Sequence, residues 1–457
     1  MKYLIRTIDR ELELWKEEEH RKPLLLRGAR QVGKSSVVRN LGRKFKYYLE
    51  VNFESDKEVK AFFQGNLNPK AICENLSLYY ETPVVAGETL LFLDEIQGCR
   101  DALASLRFFY ERYPELHLIA AGSLLEFALT DLPSFAVGRV RSIFLYPMSF
   151  DEFLSAISLD GLKQVKQQGN PSHPIDEIFH RKLNEQLRKF LILGGMPEVV
   201  STYVRTGDML KCMRVLDDLR ISFHDDFAKY KENVPTLRIR EVFDSVAEQA
   251  GGRFMYSKAS KESNYRQVKE AVDLLIMSGL IIPVYKNSAN GLPIGAGMNS
   301  SIFKLLILDT GLLQRMAQLD ISKMMVSDDW EIVNKGAIAE QFAALEILKS
   351  GSPFTTTSLY FWQREAKNSN AEVDFVLQGK DGILPIEIKS GLKGSMRSLY
   401  LFMEEKSIAY GVRSSMENFS EYNNIKVCPL YALGDFVQMI ISVSYTHLRA
   451  HETSLHL

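Results

Sequence analysis

Eight residues near the start of the chain, Gly28-Ala29-Arg30-Gln31-Val32-Gly33-Lys34-Ser35, have the spacing GxxxxGK(S/T). The glycines let the backbone curl until its N–H groups point at phosphate oxygens, and a helix starting there adds the positive end of its dipole. Lys34 then reaches the β- and γ-phosphates and the Ser35 hydroxyl ligates Mg²⁺, with Ser36 continuing into the helix. The loop therefore predicts binding of a nucleoside triphosphate, with ATP the expected ligand. A plain glycine turn is the competing reading. The flanks argue against it, because Pro23–Arg27 reads as a strand and Ser36–Lys44 as a helix.

The apolar run Thr89–Leu93 ends in Asp94-Glu95. A strand with that ending places a carboxylate at the edge of the sheet beside the loop. Asp94 would hold Mg²⁺ through water and Glu95 would polarise the attacking water as general base. Two solvated acids at a strand end are the alternative. The next run, Leu116–Ala121, ends in Gly122-Ser123, where Ser123 senses the γ-phosphate or merely closes a turn. Arg139, after Gly138, either serves the transition state, across a subunit boundary of a homo-oligomer, or is a solvated or ion-paired arginine.

A second group of charges lies near the other end. Val373–Gln378 and Ile383–Lys389 flank Gly379-Lys380-Asp381-Gly382 and read as a β-hairpin. With Lys380-Asp381 at the tip, Val373, Phe375 and Leu377 oppose Ile388, Ile386 and Leu384. The same register sets Asp374 opposite Glu387, with Lys389 on that face. Opposed acids repel, and a divalent cation between them removes the conflict. Lys389 could then polarise a phosphodiester or orient the attacking water. A polar sheet face with solvated charges is the alternative. Pro385 suggests an edge or a bulge.

Several elements must position these groups. Over residues 1–155, continuous apolar runs alternate with helical patterns, as in a parallel sheet covered on both faces. Residues 156–236 read as a helical lid and connector, with 158–175 a linker or surface insertion and a break at Gly194–Pro197. Residues 237–312 give helices followed by a β-hairpin, which suggests a winged helix-turn-helix. Its second helix carries Arg266 and Lys269 after Lys258 and Lys261, as for DNA contact, but Glu262, Glu270 and Asp273 dilute the charge. A packing or oligomerisation module is the other reading. Residues 313–442 form a mixed α/β unit.

The string Arg21–Ser36, with Leu90–Gln97, Ile119–Ser123 and Tyr146–Leu154, resembles the AAA-type ATPases of prokaryotes that carry a C-terminal domain of unknown function. The resemblance covers nearly all of residues 1–442. It implies an α/β P-loop NTPase core with ATP and Mg²⁺ as cofactors, and a lid whose GxP motif, Gly195-Met196-Pro197, contacts nucleotide through Pro197. The hairpin acids resemble a PD-(D/E)xK nuclease core. That likeness implies Asp374, Glu387 and Lys389 as catalytic, Glu340 as a fourth matching residue, and a second divalent site on Glu340, Asp374 and Glu387, acting on DNA.

Bulk properties add exclusions. Among 457 residues the formal net charge is −1, so a nucleic-acid contact must come from a local patch. Cys73, Cys99, Cys212 and Cys428 form no CxxC pair, which fits a reducing cytoplasm and argues against a zinc site. No apolar run is long enough to span a bilayer. Residues 443–457 look foreign: Val443–Thr453 resembles translated sequencing-adapter DNA, which implies that the native C-terminus is replaced.

Overall fold

The computed structural model describes residues 3–65, 67–130, 138–230, 234–318, 335–366, 370–380, 382–391 and 394–441. The N-terminal sheet has five strands, β1 (Leu24–Arg27), β2 (Tyr47–Asn52), β3 (Thr89–Asp94), β4 (His117–Ala121) and β5 (Arg141–Phe144). All pair in parallel, in the order β2-β3-β4-β1-β5. Every residue of β3 and β4 is buried. Alternate side chains feed two separate apolar clusters: Leu24, Leu26, Leu90 and Phe92 join one, while Leu25, Leu91 and Leu93 join the other. That alternation is why these runs contain no polar interruptions: both faces are covered. The covering helices include α1 (Ile8–Glu17), α2 (Lys34–Gly42), α3 (Pro69–Tyr79), α4 (Arg100–Arg112) and α5 (Leu125–Thr130). The core is thus the expected α/β P-loop type. β5, a short run that starts with Arg141-Ser142, was not foreseen.

Helices α6 (Phe150–Ala156), α7 (Asp160–Gln168), α8 (Glu177–Leu193), α9 (Pro197–Thr206) and α10 (Met209–Asp226) follow. Half of the 158–175 stretch is therefore helical, in α7, and it packs on the core. Leu162 and Val165 pack on the core, and Lys166 is buried between Asp151, at 2.7 Å, and Asp435. A reading weighted on glycine, glutamine and serine content missed this buried face.

Next come α11 (Thr236–Glu248), α12 (Tyr256–Ala259), α13 (Tyr265–Met277), β6 (Ile281–Asn287), β7 (Met298–Ile307) and α14 (Thr310–Met316). Asn264 and Gln267 form a reciprocal capping box that starts α13. β6 and β7 form an antiparallel hairpin, but β6 also pairs in parallel with β8 (Leu359–Gln363), which pairs with β9 (Glu372–Val373). The sheet β7-β6-β8-β9 thus runs across the boundary expected at residue 312.

The last unit contains α15 (Lys335–Ser350), α16 (Arg397–Lys406) and a mixed sheet in the order β10-β11-β12-β14-β13. Its strands are β10 (Phe375–Gly379), β11 (Gly382–Ile388), β12 (Gly411–Ser415), β13 (Ser420–Tyr422) and β14 (Ile425–Pro429). The adapter-like tail lies outside the described residues. Among the described residues, no helix is long and apolar enough to cross a membrane.

Candidate functional site

Parallel strands bring the loop after β1, Asp94 at the end of β3 and Ser123 just after β4 to one edge of the sheet. β4 lies between the other two, so Ser123 stands between the loop and the acids. Gly28 turns at φ +145, and a Cβ there would lie 2.2 Å from the Leu145 carbonyl oxygen; only glycine fits. Gly33 (φ +98) leads into α2.

Lys34 is buried, and its Nζ donates to the carbonyls of Gly28 (2.9 Å) and Ala29 (2.7 Å). Burial pushes its pKa down to about 8, against the pull of Glu95 and Asp94. The ammonium is held at the mouth of the loop by carbonyls, contacts that phosphate oxygens can replace. Ser35 Oγ donates to Asp94 Oδ2 at 2.8 Å, and the Glu95 N–H donates to Asp94 Oδ1 at 3.0 Å. Burial raises the pKa of Asp94. The Glu95 carboxylate accepts from Gln97 Nε2 and, at 3.2 Å, from Ser123 Oγ. Ser35 and Asp94 thus form one hydroxyl–carboxylate pair, a hard-oxygen donor set of the kind Mg²⁺ takes.

The other loop residues fall into place around this centre. Val32 is fully buried, Ala29 nearly so, and Gln31 (φ 63) and Ser36 are exposed. The Arg30 side chain ion-pairs with Asp226 at the end of α10 and, at 3.7 Å, with Glu54 just after β2. Pro197 Cγ would stand 3.5 Å from a Cβ on Gly33, so the GxP motif lies against the loop. Arg139 ion-pairs with Glu111.

Two contributors escaped the sequence reading. Arg6, 5% exposed, donates through Nη1 to Val32 O (3.0 Å) and Nη2 to Tyr146 O (2.7 Å), and its Nε lies 3.0 Å from Glu152 Oε2. It ties the loop to the turn after β5 and to the cap of α6. Asp309, a buried carboxylate, accepts from the Gly195 N–H at 2.6 Å and caps α14 through Leu312 N at 3.1 Å. Burial raises its pKa. Nothing in the spacing of either residue pointed to these partners.

The C-terminal acids converge with a different detail. The hairpin has the expected register, Phe375 opposite Ile386 and Leu377 opposite Leu384. The expected Val373–Ile388 pair is not formed, because Val373 crosses over to pair with Trp362 of β8. Asp374 sits at that parting, and its carboxylate accepts from the Ile388 N–H at 2.7 Å instead of facing Glu387 across a ladder. Pro385 lies within an interior strand, not at an edge. Pairing with β12 begins one residue later, at Ile386, so no sheet hydrogen bond on that side needs the missing N–H.

Lys389 Nζ donates to Glu387 Oε1 at 2.6 Å, while Glu387 Oε2 is buried without a partner. Burial and then Asp374 raise Glu387 to about 8. Burial raises Glu340 on α15 to about 7, with Lys304 opposing, and burial raises Asp374 as well. Glu372 and Lys304 complete the cluster. Lys304, on β7 and 2% exposed, lies 2.6 Å from Glu340 Oε1 and 2.7 Å from Glu372 Oε1. Burial pulls its pKa down, but Glu340, Glu372 and Asp374 together hold it above the ordinary lysine value. Glu340, Asp374, Glu387 and Lys389 therefore share one electrostatic environment. Even so, among the described residues no three acids or other donors are grouped so as to hold a metal ion. Glu372 was missed; its one signal was its place two residues before Asp374, on the same side of an extended run. Lys304 had one signal, a lone charge inside the apolar run Ile302–Leu308.

Around α12 and α13, Lys258, Lys261, Arg266 and Lys269 are exposed, and Gly279, just after α13, packs against Ala29 of the loop.

Residues 20–154 match an AAA domain. Residues 184–323 and 335–433 match two domains of unknown function (DUF8612 and DUF4143). The chain thus carries an AAA-type ATPase domain, and its second matched region spans lid and hairpin together. Among solved structures it is similar to a Walker-type ATPase of Pyrococcus abyssi: 18% identity, 69% of this chain and 96% of that one covered, TM-score 0.43. It is also similar to the Orc1 protein of Aeropyrum pernix in complex with DNA (13%, 69% and 92%, TM-score 0.27). A third is the RuvB Holliday junction branch migration motor of Thermotoga maritima (14%, 60% and 87%, TM-score 0.26). No curated protein matches the chain in sequence.

Proposed function

We propose that the chain hydrolyses ATP in its AAA-type domain and couples that cycle to a metal-dependent, nuclease-like site in its C-terminal domain, acting on DNA. At the nucleotide, the Gly28–Ser35 amides and Lys34 bind the phosphates, Glu95 orients and deprotonates the attacking water, and Ser123 reports on the terminal phosphate. Ser35 and Asp94 would hold Mg²⁺, which supplies charge neutralisation to the β- and γ-phosphates. Pro197 closes the lid over the loop.

Coupling runs through Asp309. The Gly195 N–H of the lid binds its carboxylate, and Gln341 on α15 holds its carbonyl at 3.0 Å while accepting from Ile307 N at 3.1 Å. Glu340, the next residue, belongs to the acid cluster. This short path between the two sites is the observation that carries the reading. At the second site Asp374 and Glu387 would hold a divalent cation, which supplies Lewis acidity to a phosphodiester, and the orphaned Glu387 Oε2 fits such a ligand. Lys389 steadies the developing charge. The exposed basic residues around α13 support contact with the DNA backbone.

The test is cleavage of plasmid, single-stranded DNA and RNA with Mg²⁺ or Mn²⁺, with and without ATP. Wild type should cut a DNA substrate and Asp374→Ala should not; equal behaviour on every substrate ends the nuclease part. A second reading is an ATP-dependent switch, in regulation or defence, whose C-terminal domain captures a partner without cleavage. The seating of Lys304 among the acids favours it. It predicts nucleotide-dependent partner binding that Asp374→Ala leaves intact.

A further inference from the structure

We propose that Lys304 is a built-in cation that competes with a divalent ion for the Glu340 side of the C-terminal acid cluster. The inference rests on the reading that this cluster takes a divalent ion. Lys304 comes from the β6–β7 hairpin, outside the sheet that carries Glu387 and leads into Lys389. Its neighbours Phe303 and Leu305 are buried, and it is itself 2% exposed in a strand that is apolar from Ile302 to Leu308. An ammonium in that setting is tolerated only with opposite charge in contact. Glu340 at 2.6 Å and Glu372 at 2.7 Å supply that charge.

The cluster contains four carboxylates (Glu340, Glu372, Asp374, Glu387) and two ammoniums (Lys304, Lys389), a formal charge of −2. The two lysines take different partners, and both act on Asp374. Lys304 takes one oxygen each from Glu340 and Glu372, and Lys389 takes Glu387 Oε1. Glu387 Oε2 is left buried and without a partner, an acceptor that no protein group serves. Seated Lys304 therefore leaves Glu387 Oε2 available to a cation and blocks the bound oxygens of Glu340 and Glu372. With the hairpin withdrawn, the cluster loses one positive charge and both blocked acids are released. β7 ends just before Asp309, the residue bound to the lid glycine, so withdrawal of Lys304 and opening of the lid share one strand end.

The experiment is Mn²⁺ titration of the nucleotide-free full chain by calorimetry. Lys304→Met, close in shape and without charge, should bind Mn²⁺ at least about tenfold more tightly than wild type, a gain of about 1.4 kcal/mol. Lys304→Arg should bind as wild type, and adding Glu340→Gln to Lys304→Met should remove the gain. Equal Mn²⁺ affinity for wild type and Lys304→Met overturns the competition while leaving the acid cluster a cation site. No Mn²⁺ binding by either protein ends both ideas. Should Lys304→Met fail to fold, acetylation of wild-type lysines read by mass spectrometry decides. Saturating Mn²⁺ should expose Lys304 and leave Lys166, equally buried between Asp151 and Asp435, protected. Unchanged Lys304 labelling overturns the proposal.

Discussion

Replacing Arg6 by methionine nearly keeps the length of the side chain and removes the brace beneath the nucleotide loop. The guanidinium has two carbonyl acceptors, Val32 O and Tyr146 O, and a carboxylate, Glu152, within 3.0 Å. Hydrogen bonds from a charged donor contribute roughly 1.5–3 kcal/mol each, and breaking a buried ion pair costs about 3–5 kcal/mol. These terms overlap, because one side chain makes all three contacts. Glu152 also keeps two backbone donors, Ser149 N at 2.9 Å and Thr7 N at 2.6 Å, which soften its loss. We expect a net destabilisation of about 4 kcal/mol, and at roughly 2–4 °C per kcal/mol for a domain of this size, a melting point about 8–16 °C lower. Val32 lies inside the loop, so its displacement should also weaken ATP by about tenfold, or 1.4 kcal/mol. Arg6→Lys keeps the charge but cannot reach three acceptors at once, and should recover part of both effects. Thermal unfolding and titration with a fluorescent ATP analogue read the two quantities separately. An Arg6→Met protein that melts within about 2 °C of wild type and binds ATP equally well refutes the brace.

Lys34→Ala should abolish ATP turnover measured by phosphate release, and Glu95→Gln should keep ATP binding while slowing hydrolysis by about 10²–10⁴-fold. Gly195→Ala places a Cβ 2.1 Å from the Met148 carbonyl oxygen and should lower the melting point and ATPase rate together, since lid and loop packing depend on that approach. His117 gives a pH signature. It is 4% exposed, edge-on to Trp15 and Phe45, with Nε2 3.1 Å from the Lys16 carbonyl and Nδ1 buried without a partner. Burial pushes its pKa from 6.5 down to about 4. The unfolded chain therefore binds the proton first as pH falls. The stability that neutral His117 provides is complete above pH 6.5 and is lost by pH 4, about 3 kcal/mol in all. Urea unfolding should show the wild type losing that much more than His117→Asn between about pH 7.5 and 4; parallel curves count against it.

What could be read from residue order alone follows from how local each interaction is. The nucleotide loop, Asp94-Glu95 and the apolar strands were legible because their chemistry lies within a few consecutive residues. The hairpin register at Phe375–Ile386 was legible for the same reason: a short turn joins the paired strands. The contacts of Arg6 and Lys304, and that of Asp309 with Gly195, span 26 to 146 positions, so no spacing announced them. The departure of Val373 to β8 was hidden because the competitor, Trp362, belongs to a strand outside the hairpin. Helix α7 was missed because its polar composition outweighed two apolar positions and one buried lysine.

The links between the two sites constrain how one can affect the other. Pro197 lies beside Gly33 of the nucleotide loop, and Gly195, two residues earlier, is fixed from both sides: Met148 N donates to its carbonyl at 2.7 Å and its own N–H binds Asp309. Met148 O in turn receives Lys349 Nζ at 3.0 Å, and Glu346 accepts from Phe150 N at 3.2 Å, both from α15. That helix also carries Gln341, which grips the Asp309 backbone, and Glu340, which grips Lys304. A lid movement at Gly195 therefore cannot occur without straining either the Asp309 contact or the α15 contacts. Both lead to Glu340 by rigid elements, Asp309 through the end of β7 and Met148 through the turns of α15. Because packed elements shift between discrete arrangements rather than bending continuously, the seat of Lys304 is where such a shift would be felt at the acid cluster. Asp309→Asn keeps one acceptor oxygen for two backbone donors, so it should loosen this path first. Its Lys304 should then be acetylated faster than in wild type even without nucleotide; equal rates would mean that the lid and the acids move independently.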